Sequence, residues 1–273
     1  MSDVPRPWEA ALLEGGRVAP TVLVLGGFIT SPPLYLPLVR RLRDRGAADV
    51  VVASVWTPDW LLAARRGLGP IVTRCGRGLL AAAARSEAMS RGAPLLLVGH
   101  SAGGVNARLL TSPAPFEGRR LNAAGRIGAI VTLGSPHMVS GPGVMGRQAG
   151  TRAATFANRE VPGASWAPTT GYLAVASRAV PGRRDGTPAE RQRWRLYQDL
   201  LAAPGEAEID GDGLVPVRSA LLPGALSLVL DDAAHGQWPG RDWYGSDRFL
   251  DRWWPLAIET WETALRARIH ARL

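Results

Sequence analysis

Gly99-His100-Ser101-Ala102-Gly103-Gly104 follows the apolar run Leu95-Leu96-Leu97-Val98 and precedes a helical stretch that begins at Ala102. A G-x-S-x-G segment between a strand and a helix is the setting of a nucleophile elbow, a strained turn that raises a serine hydroxyl above the end of a sheet. Gly99 and Gly103 leave room for strand and helix to pass closely. A serine hydroxyl is a weak nucleophile until a base takes its proton, and the expected base is a histidine held by a carboxylate.

Four histidines are available. His100 lies inside the elbow, where its side chain is expected to point away from Ser101. His137 follows Gly-Ser-Pro after another apolar run, and His270 sits in the last helical stretch, where a solvated charge near a helix end is its natural role. His235, in Asp231-Asp232-Ala233-Ala234-His235-Gly236, directly follows the strand-like run 225–230. A loop after a sheet strand lies at the carboxyl edge, the edge that also carries Ser101, so His235 is the expected base. An elbow of this kind orders its triad Ser…Asp/Glu…His. The acid is therefore sought in Asp210-Gly211-Asp212-Gly213-Leu214-Val215-Pro216, one strand before His235. Asp212 is preferred to Asp210 because the Gly-Leu-Val-Pro tail places it at a tight turn with an apolar anchor behind. The developing oxyanion needs preorganised N–H donors. One is expected from Ala102, after the nucleophile, and the other from Phe28 in the loop Gly26-Gly27-Phe28. The glycine spacing of a dinucleotide-binding loop is absent there.

The elements that must hold these residues are legible as alternating patterns. Residues 21–26, 49–55, 95–98 and 127–133 read as strands, and 33–45, 70–91 and 102–111 as helices. Strand–helix alternation predicts a mostly parallel sheet with helices on both faces. The alternation breaks at 136–170, which is rich in Gly, Pro, Ser, Thr and Ala. Residues 171–177 read as a strand, 188–203 as a helix, 225–230 as the last strand, and Ser246 to about Ala271 as a closing helix. The organisation predicted is one domain over 1–273, with a lid- or cap-like insertion at 136–208 after the fourth predicted strand.

The chain has 273 residues, 46% of them apolar, which is ample for a core without cross-links. Its single cysteine, Cys75, excludes an intramolecular disulfide and a cysteine-cluster metal site, and its apolar helix face predicts a core residue. The net charge is +9, counting His neutral, and every positive charge is Arg. The arginines are spread rather than clustered, and no zinc-finger or RNA-binding motif is present, so nucleic acid is not an expected partner. No apolar run reaches the roughly 18 residues of a membrane span. Met1 to Pro20 carries Asp3, Glu9 and Glu14 without an apolar core, so it does not read as a secretory signal, and the expected location is cytoplasmic.

With these residues in place, the chain resembles the serine α/β-hydrolases, and within them the small lipase-like esterases. The resemblance is carried by Gly-His-Ser-Ala-Gly-Gly (99–104), Thr-Leu-Gly-Ser-Pro-His (132–137), Gly-Asp-Gly-Leu-Val-Pro-Val (211–217), Ala-His-Gly (234–236) and Trp-Tyr-Gly-Ser (243–246), and spans roughly 21–265. The chain departs from the family where the oxyanion loop often begins His-Gly; here it is Gly26-Gly27. The resemblance implies an α/β-hydrolase fold, attack on a carboxylic ester, an acyl-enzyme on Ser101 and release by water, with no metal or organic cofactor. An acyltransferase or thioesterase would use the same triad. A non-catalytic lipid- or membrane-associated protein of the same fold is the alternative of a different class.

Substrate clues are fewer. Met138, Val144, Met145, Phe156, Trp166 and Tyr172 could line an apolar pocket for a small-molecule or lipid ester, or could pack the insertion onto the sheet. Trp254 and Trp261 share a helical face with Ile258, which is a core pattern. A wet tryptophan rim near His235 would instead mark a lipid interface and peripheral membrane contact, helped by the arginines.

Overall fold

Four runs of the chain are apolar at nearly every position, a pattern a strand keeps when both of its faces are covered. The computed structural model, which describes residues 4–139, 147–201 and 205–272, places all four in one sheet. In chain order the strands are β1 (Thr21–Leu25), β2 (Asp49–Val52), β3 (Leu95–His100), β4 (Ile127–Leu133), β5 (Gly171–Ser177), β6 (Gly182–Arg183), β7 (Glu208–Ile209) and β8 (Leu226–Leu230). The helices are α1 (Pro7–Leu13), α2 (Leu36–Asp44), α3 (Thr57–Arg66), α4 (Gly69–Met89), α5 (Ala102–Thr111), α6 (Arg147–Glu160), α7 (Pro188–Leu201), α8 (Val217–Ala220) and α9 (Asp247–His270). Six strands form the main sheet in the order β2-β1-β3-β4-β5-β8, parallel throughout, while β6 and β7 pair antiparallel to one side.

Alternate side chains of the sheet feed two cores. Val22, Val24, Leu96, Val98, Val131 and Val175 pack against α1, α2 and α9, and Leu23, Leu25, Leu97, Ile130 and Ala174 pack against α3 to α6. α9 is amphipathic at helical spacing: Phe249, Trp253, Ala257, Trp261 and Leu265 are all buried. Burying a large side chain contributes roughly 1.5–3 kcal/mol, so this one helix anchors much of its face. The Trp261 indole N–H donates to the Pro94 carbonyl at 2.8 Å, which satisfies its one polar atom.

The strand order reverses between β1 and β3, whose neighbours run outward in opposite directions. Loops leaving the carboxyl ends of such a pair diverge and open a crevice. The loop after β1 is Gly26-Gly27-Phe28, and the turn after β3 is the Ser101 elbow.

Several expected boundaries move. Residues 33–45 begin as a single 3-10 turn at Pro32–Tyr35 before α2. β2 ends at Val52, because the chain turns at Ala53, whose carbonyl accepts from Val55 N–H at 2.8 Å. α1, α3 and α6 lie where the sequence pattern predicts no helix. The span 136–208 is not one excursion: its middle is β5, which pairs with β4 on one side and β8 on the other. Between β4 and β8 the chain therefore leaves the main sheet twice, before β5 and again from 178 until β8 begins at Leu226. Val144 and Met145 lie outside the described residues. Phe156, Trp166 and Tyr172 pack in the core with α5 and α6 rather than lining a cleft, and Met138 is exposed.

Candidate active site

Ser101 holds φ 54° and ψ −125°, a left-handed conformation that a side-chain-bearing residue adopts at a cost. The surroundings enforce it. The Ser101 N–H donates to the Leu133 carbonyl at 2.9 Å. A Cβ on Gly99 would stand 2.5 Å from Gly104 Cα, and one on Gly103 would collide with the Leu25 carbonyl. β3, α5 and β1 can approach this closely only with glycine at both places.

The structure brings together Ser101, His235 and Asp212. Ser101 Oγ lies 3.0 Å from His235 Nε2, and His235 Nδ1 lies 2.8 Å from Asp212 Oδ2. Asp210 is exposed on the other side of the turn. The His235 loop is tied to the Asp212 turn by His235 N–H donating to the Asp212 carbonyl at 3.0 Å. Asp212 is fully buried. Burial alone would raise its pKa. The His235 interaction and the N–H groups of Val215 (2.8 Å) and Leu214 (3.0 Å) on Oδ1 offset that, and the carboxyl is held below its usual value.

Tyr244 supplies a further donor that the sequence reading did not assign. Its hydroxyl donates to Asp212 Oδ2 at 2.9 Å, on the same oxygen that holds His235. Burial and the neighbouring Asp212 charge raise the Tyr244 pKa, so it stays an O–H donor. Trp253, from α9, fixes Tyr244 by donating its indole N–H to the Tyr244 carbonyl at 2.9 Å.

His100 makes no hydrogen bond to Ser101; it braces His235 from behind. Its Nε2 lies 2.7 Å from the His235 carbonyl, which can only accept, so Nε2 carries the proton. Its Nδ1 then accepts from the Tyr35 hydroxyl at 2.9 Å, and that oxygen accepts the Gly27 N–H at 2.8 Å. Burial, with the adjacent His235, pushes the His100 pKa down to about 3, and the chain from the Gly27 loop to the His235 loop stays neutral. The sequence gives no spacing signal for Tyr35, which reaches the site from a distant turn.

Gly27 packs against the elbow; a Cβ there would stand 2.9 Å from Ser101 Cβ. The next N–H, that of Phe28, donates to no acceptor among the described residues. Ala102 is the first residue of α5, so its N–H has no acceptor within the helix. His137 is buried against Thr132, at 3.2 Å, and makes no hydrogen bond to Ser101, His235 or Asp212. Cys75 is buried in the core, and burial pushes its thiol up to about 12.

Above Ser101 opens a cavity of about 650 Å³. Its walls include Phe28, Trp60, Val105, Leu196, Leu214 and Trp238, and among the described residues no Asp, Glu or Arg lines it. Of the tail tryptophans, Trp243 and Trp238 reach this cavity, while Trp253, Trp254 and Trp261 are core. Among the described residues no group of three His, Cys, Asp or Glu side chains is arranged to hold a metal ion.

No family model matches the chain, and no curated protein matches it in sequence. Solved structures do. The Bacillus licheniformis lipase BlEst2 aligns over 93% of this chain and 94% of its own, with a TM-score of 0.60 and 15% identity. A Paleococcus ferrophilus monoacylglycerol lipase aligns over 89% of this chain and 96% of its own at 11% identity and a TM-score of 0.47. Est1E from Butyrivibrio proteoclasticus aligns over 93% and 91% at 12% identity and a TM-score of 0.45. The near-complete alignment with the first, together with the parallel sheet and its switch point, shows the α/β-hydrolase fold.

Proposed function

We propose that this protein is a carboxyl-ester hydrolase working through Ser101, His235 and Asp212. The observation that carries the reading is the hydrogen-bonded chain from Ser101 Oγ to His235 Nε2 and from His235 Nδ1 to Asp212 Oδ2, at 3.0 and 2.8 Å, on the floor of an uncharged apolar cavity.

His235 Nε2 takes the Ser101 proton as Oγ attacks the ester carbonyl carbon. The carbonyl π electrons move onto oxygen, and the N–H groups of Phe28 and Ala102 stabilise that oxyanion. Collapse of the tetrahedral intermediate breaks the ester C–O bond, and the departing alkoxide takes the proton from His235. The acyl group remains on Ser101. Water then repeats the sequence, giving its proton to His235 and its oxygen to the acyl carbon, and Oγ leaves with the proton returned. Asp212 holds the tautomer that lets Nε2 accept, and stabilises the imidazolium. Nothing charged among the described residues of the cavity wall meets the substrate, which matches a neutral ester.

The test is hydrolysis of p-nitrophenyl esters from acetate to palmitate by the wild type and Ser101→Ala. The expected result is turnover by the wild type and none above background by the variant. A folded wild type inert toward every ester contradicts the reading.

A second reading concerns where the enzyme works. Phe28, Ile29, Trp56, Leu61 and Leu62 are exposed beside the cavity mouth, and Arg65 and Arg66 follow on α3. The loop and helix are joined by Ser31 Oγ and Thr57 Oγ1 at 3.0 Å. An apolar rim with a basic flank suits an anionic lipid surface. Sedimentation with anionic vesicles, lost in Leu61→Asp/Leu62→Asp, is the expected outcome; no binding by the wild type contradicts it.

A further inference from the structure

One side of the cavity is apolar except for two groups. Trp60, Ala63, Leu68, Val105, Val139 and Ala153 form the walls, and between them stand Asn106 on α5 and Thr151 on α6. Asn106 is 3% exposed, yet its amide makes no hydrogen bond among the described residues. Thr151 Oγ1 is buried and equally without a partner among them. A primary amide offers two donors and an acceptor, and buried polar groups in folded proteins are paired almost without exception. Asn106 lines the space that Ser101 opens into, and its amide, unlike Thr151 Oγ1, keeps surface open to that space.

The chemistry fixes which part of an ester enters this side. The leaving oxygen must sit beside His235 Nε2 to take its proton. Gly236, Gln237, Trp238 and Leu214 line that flank of the cavity. The acyl chain therefore runs the other way, along α5. Asn106 lies five residues past Ser101, roughly 7 Å along the helix axis, and a helical side chain leans back toward the N-terminus. An acetyl group stops short of it, whereas a medium-length chain reaches it.

We propose that this lobe selects oxygenated acyl chains: esters of oxo- or hydroxy-acids whose second oxygen lies several carbons from the ester and pairs with the Asn106 amide. The inference rests on the hydrolase reading and names the substrate class of the same site. A plain alkyl chain would strip water from the amide and leave it unpaired, and a site of that kind discriminates against the analogue lacking the polar group.

The experiment compares kcat/KM for the p-nitrophenyl esters of hexanoate, 4-oxohexanoate, 5-oxohexanoate and 6-hydroxyhexanoate. Each protein serves as its own control, because the readout is the ratio of oxygenated to plain ester. In the wild type at least one oxygenated ester is expected to exceed hexanoate by about tenfold. Asn106→Leu, similar in size and unable to hydrogen-bond, is expected to bring the ratio to about one or below. Asn106→Ala, which only removes atoms, is expected to lower it in the same direction and serves if Asn106→Leu fails to fold. A wild type that prefers hexanoate to every oxygenated ester overturns the inference, as does a ratio preserved in both variants. Turnover without that preference overturns this inference alone; absence of turnover with any ester overturns the hydrolase reading and this inference with it.

Discussion

Replacing Asp212 with Asn tests the geometry at its most constrained point. Oδ1 accepts from the backbone N–H groups of Leu214 at 3.0 Å and Val215 at 2.8 Å, so in Asp212→Asn the side-chain carbonyl oxygen must occupy that position. The amide nitrogen is then forced into the Oδ2 position, facing His235 Nδ1. It can only donate, so Nδ1 must accept, and the ring proton moves to Nε2. The Nε2–H now points at Ser101 Oγ, 3.0 Å away, and cannot take its proton. The same carboxylate-to-amide change in a serine-protease triad lowers kcat by roughly 10⁴-fold through this tautomer. That corresponds to about 5.5 kcal/mol of transition-state stabilisation. The fold is expected to survive, since both backbone N–H groups keep their acceptor and the Tyr244 hydroxyl can turn to accept. Steady-state hydrolysis of a short p-nitrophenyl ester, with a thermal melt as the folding control, measures both. Loss of less than tenfold in Asp212→Asn, or a loss of this size in Asp210→Asn instead, would refute the reasoning.

Tyr244→Phe removes one donor from the same carboxylate and leaves no orphaned group behind; it is expected to lower the unfolding free energy by about 2 kcal/mol and kcat several-fold with little change in KM. An unaltered kcat would limit Tyr244 to a packing role. Stability is also expected to fall on acidification. His100 and His137 are each pushed down to about 3, by burial first, then by His235 and by Arg108 respectively. The unfolded chain binds a proton at each near pH 6.5, so their contribution is full above about 6.5 and is lost toward pH 3, with a slope of up to about 3 kcal/mol per pH unit. Urea unfolding from pH 7 to 4.5 checks this: His137→Asn should roughly halve the slope, and a flat wild-type profile would contradict the buried neutral state.

What the sequence made legible follows from which signals are local. Strands buried on both faces announce themselves as unbroken apolar runs, and the elbow needs its glycines within a few residues of Ser101. Asp212 could be preferred to Asp210 because the Gly213 turn, at φ 107°, is written into the same short segment. α6 carries no local signal because it buries Ala153, Ala154 and Ala157, small residues that leave no hydrophobic period. α3 was hidden differently: Trp60 and Ala63 face inward while the adjacent Leu61 and Leu62 are exposed, so apolar residues surround the helix. The place of β5 depends on pairing with β4 and β8, which no local pattern encodes. Tyr35, Tyr244 and Asn106 are likewise silent, since each acquires its meaning only from groups brought near by the fold.

The central claim is that Ser101 is a nucleophile activated by His235. Incubation with a fluorophosphonate, followed by peptide mass spectrometry, tests it most directly, because the reagent needs an activated serine and no particular substrate. The account predicts one adduct per chain, located on Ser101, with labelling abolished in Ser101→Ala and greatly slowed in His235→Ala. A folded protein that stays unlabelled, or an adduct on another residue, would contradict it.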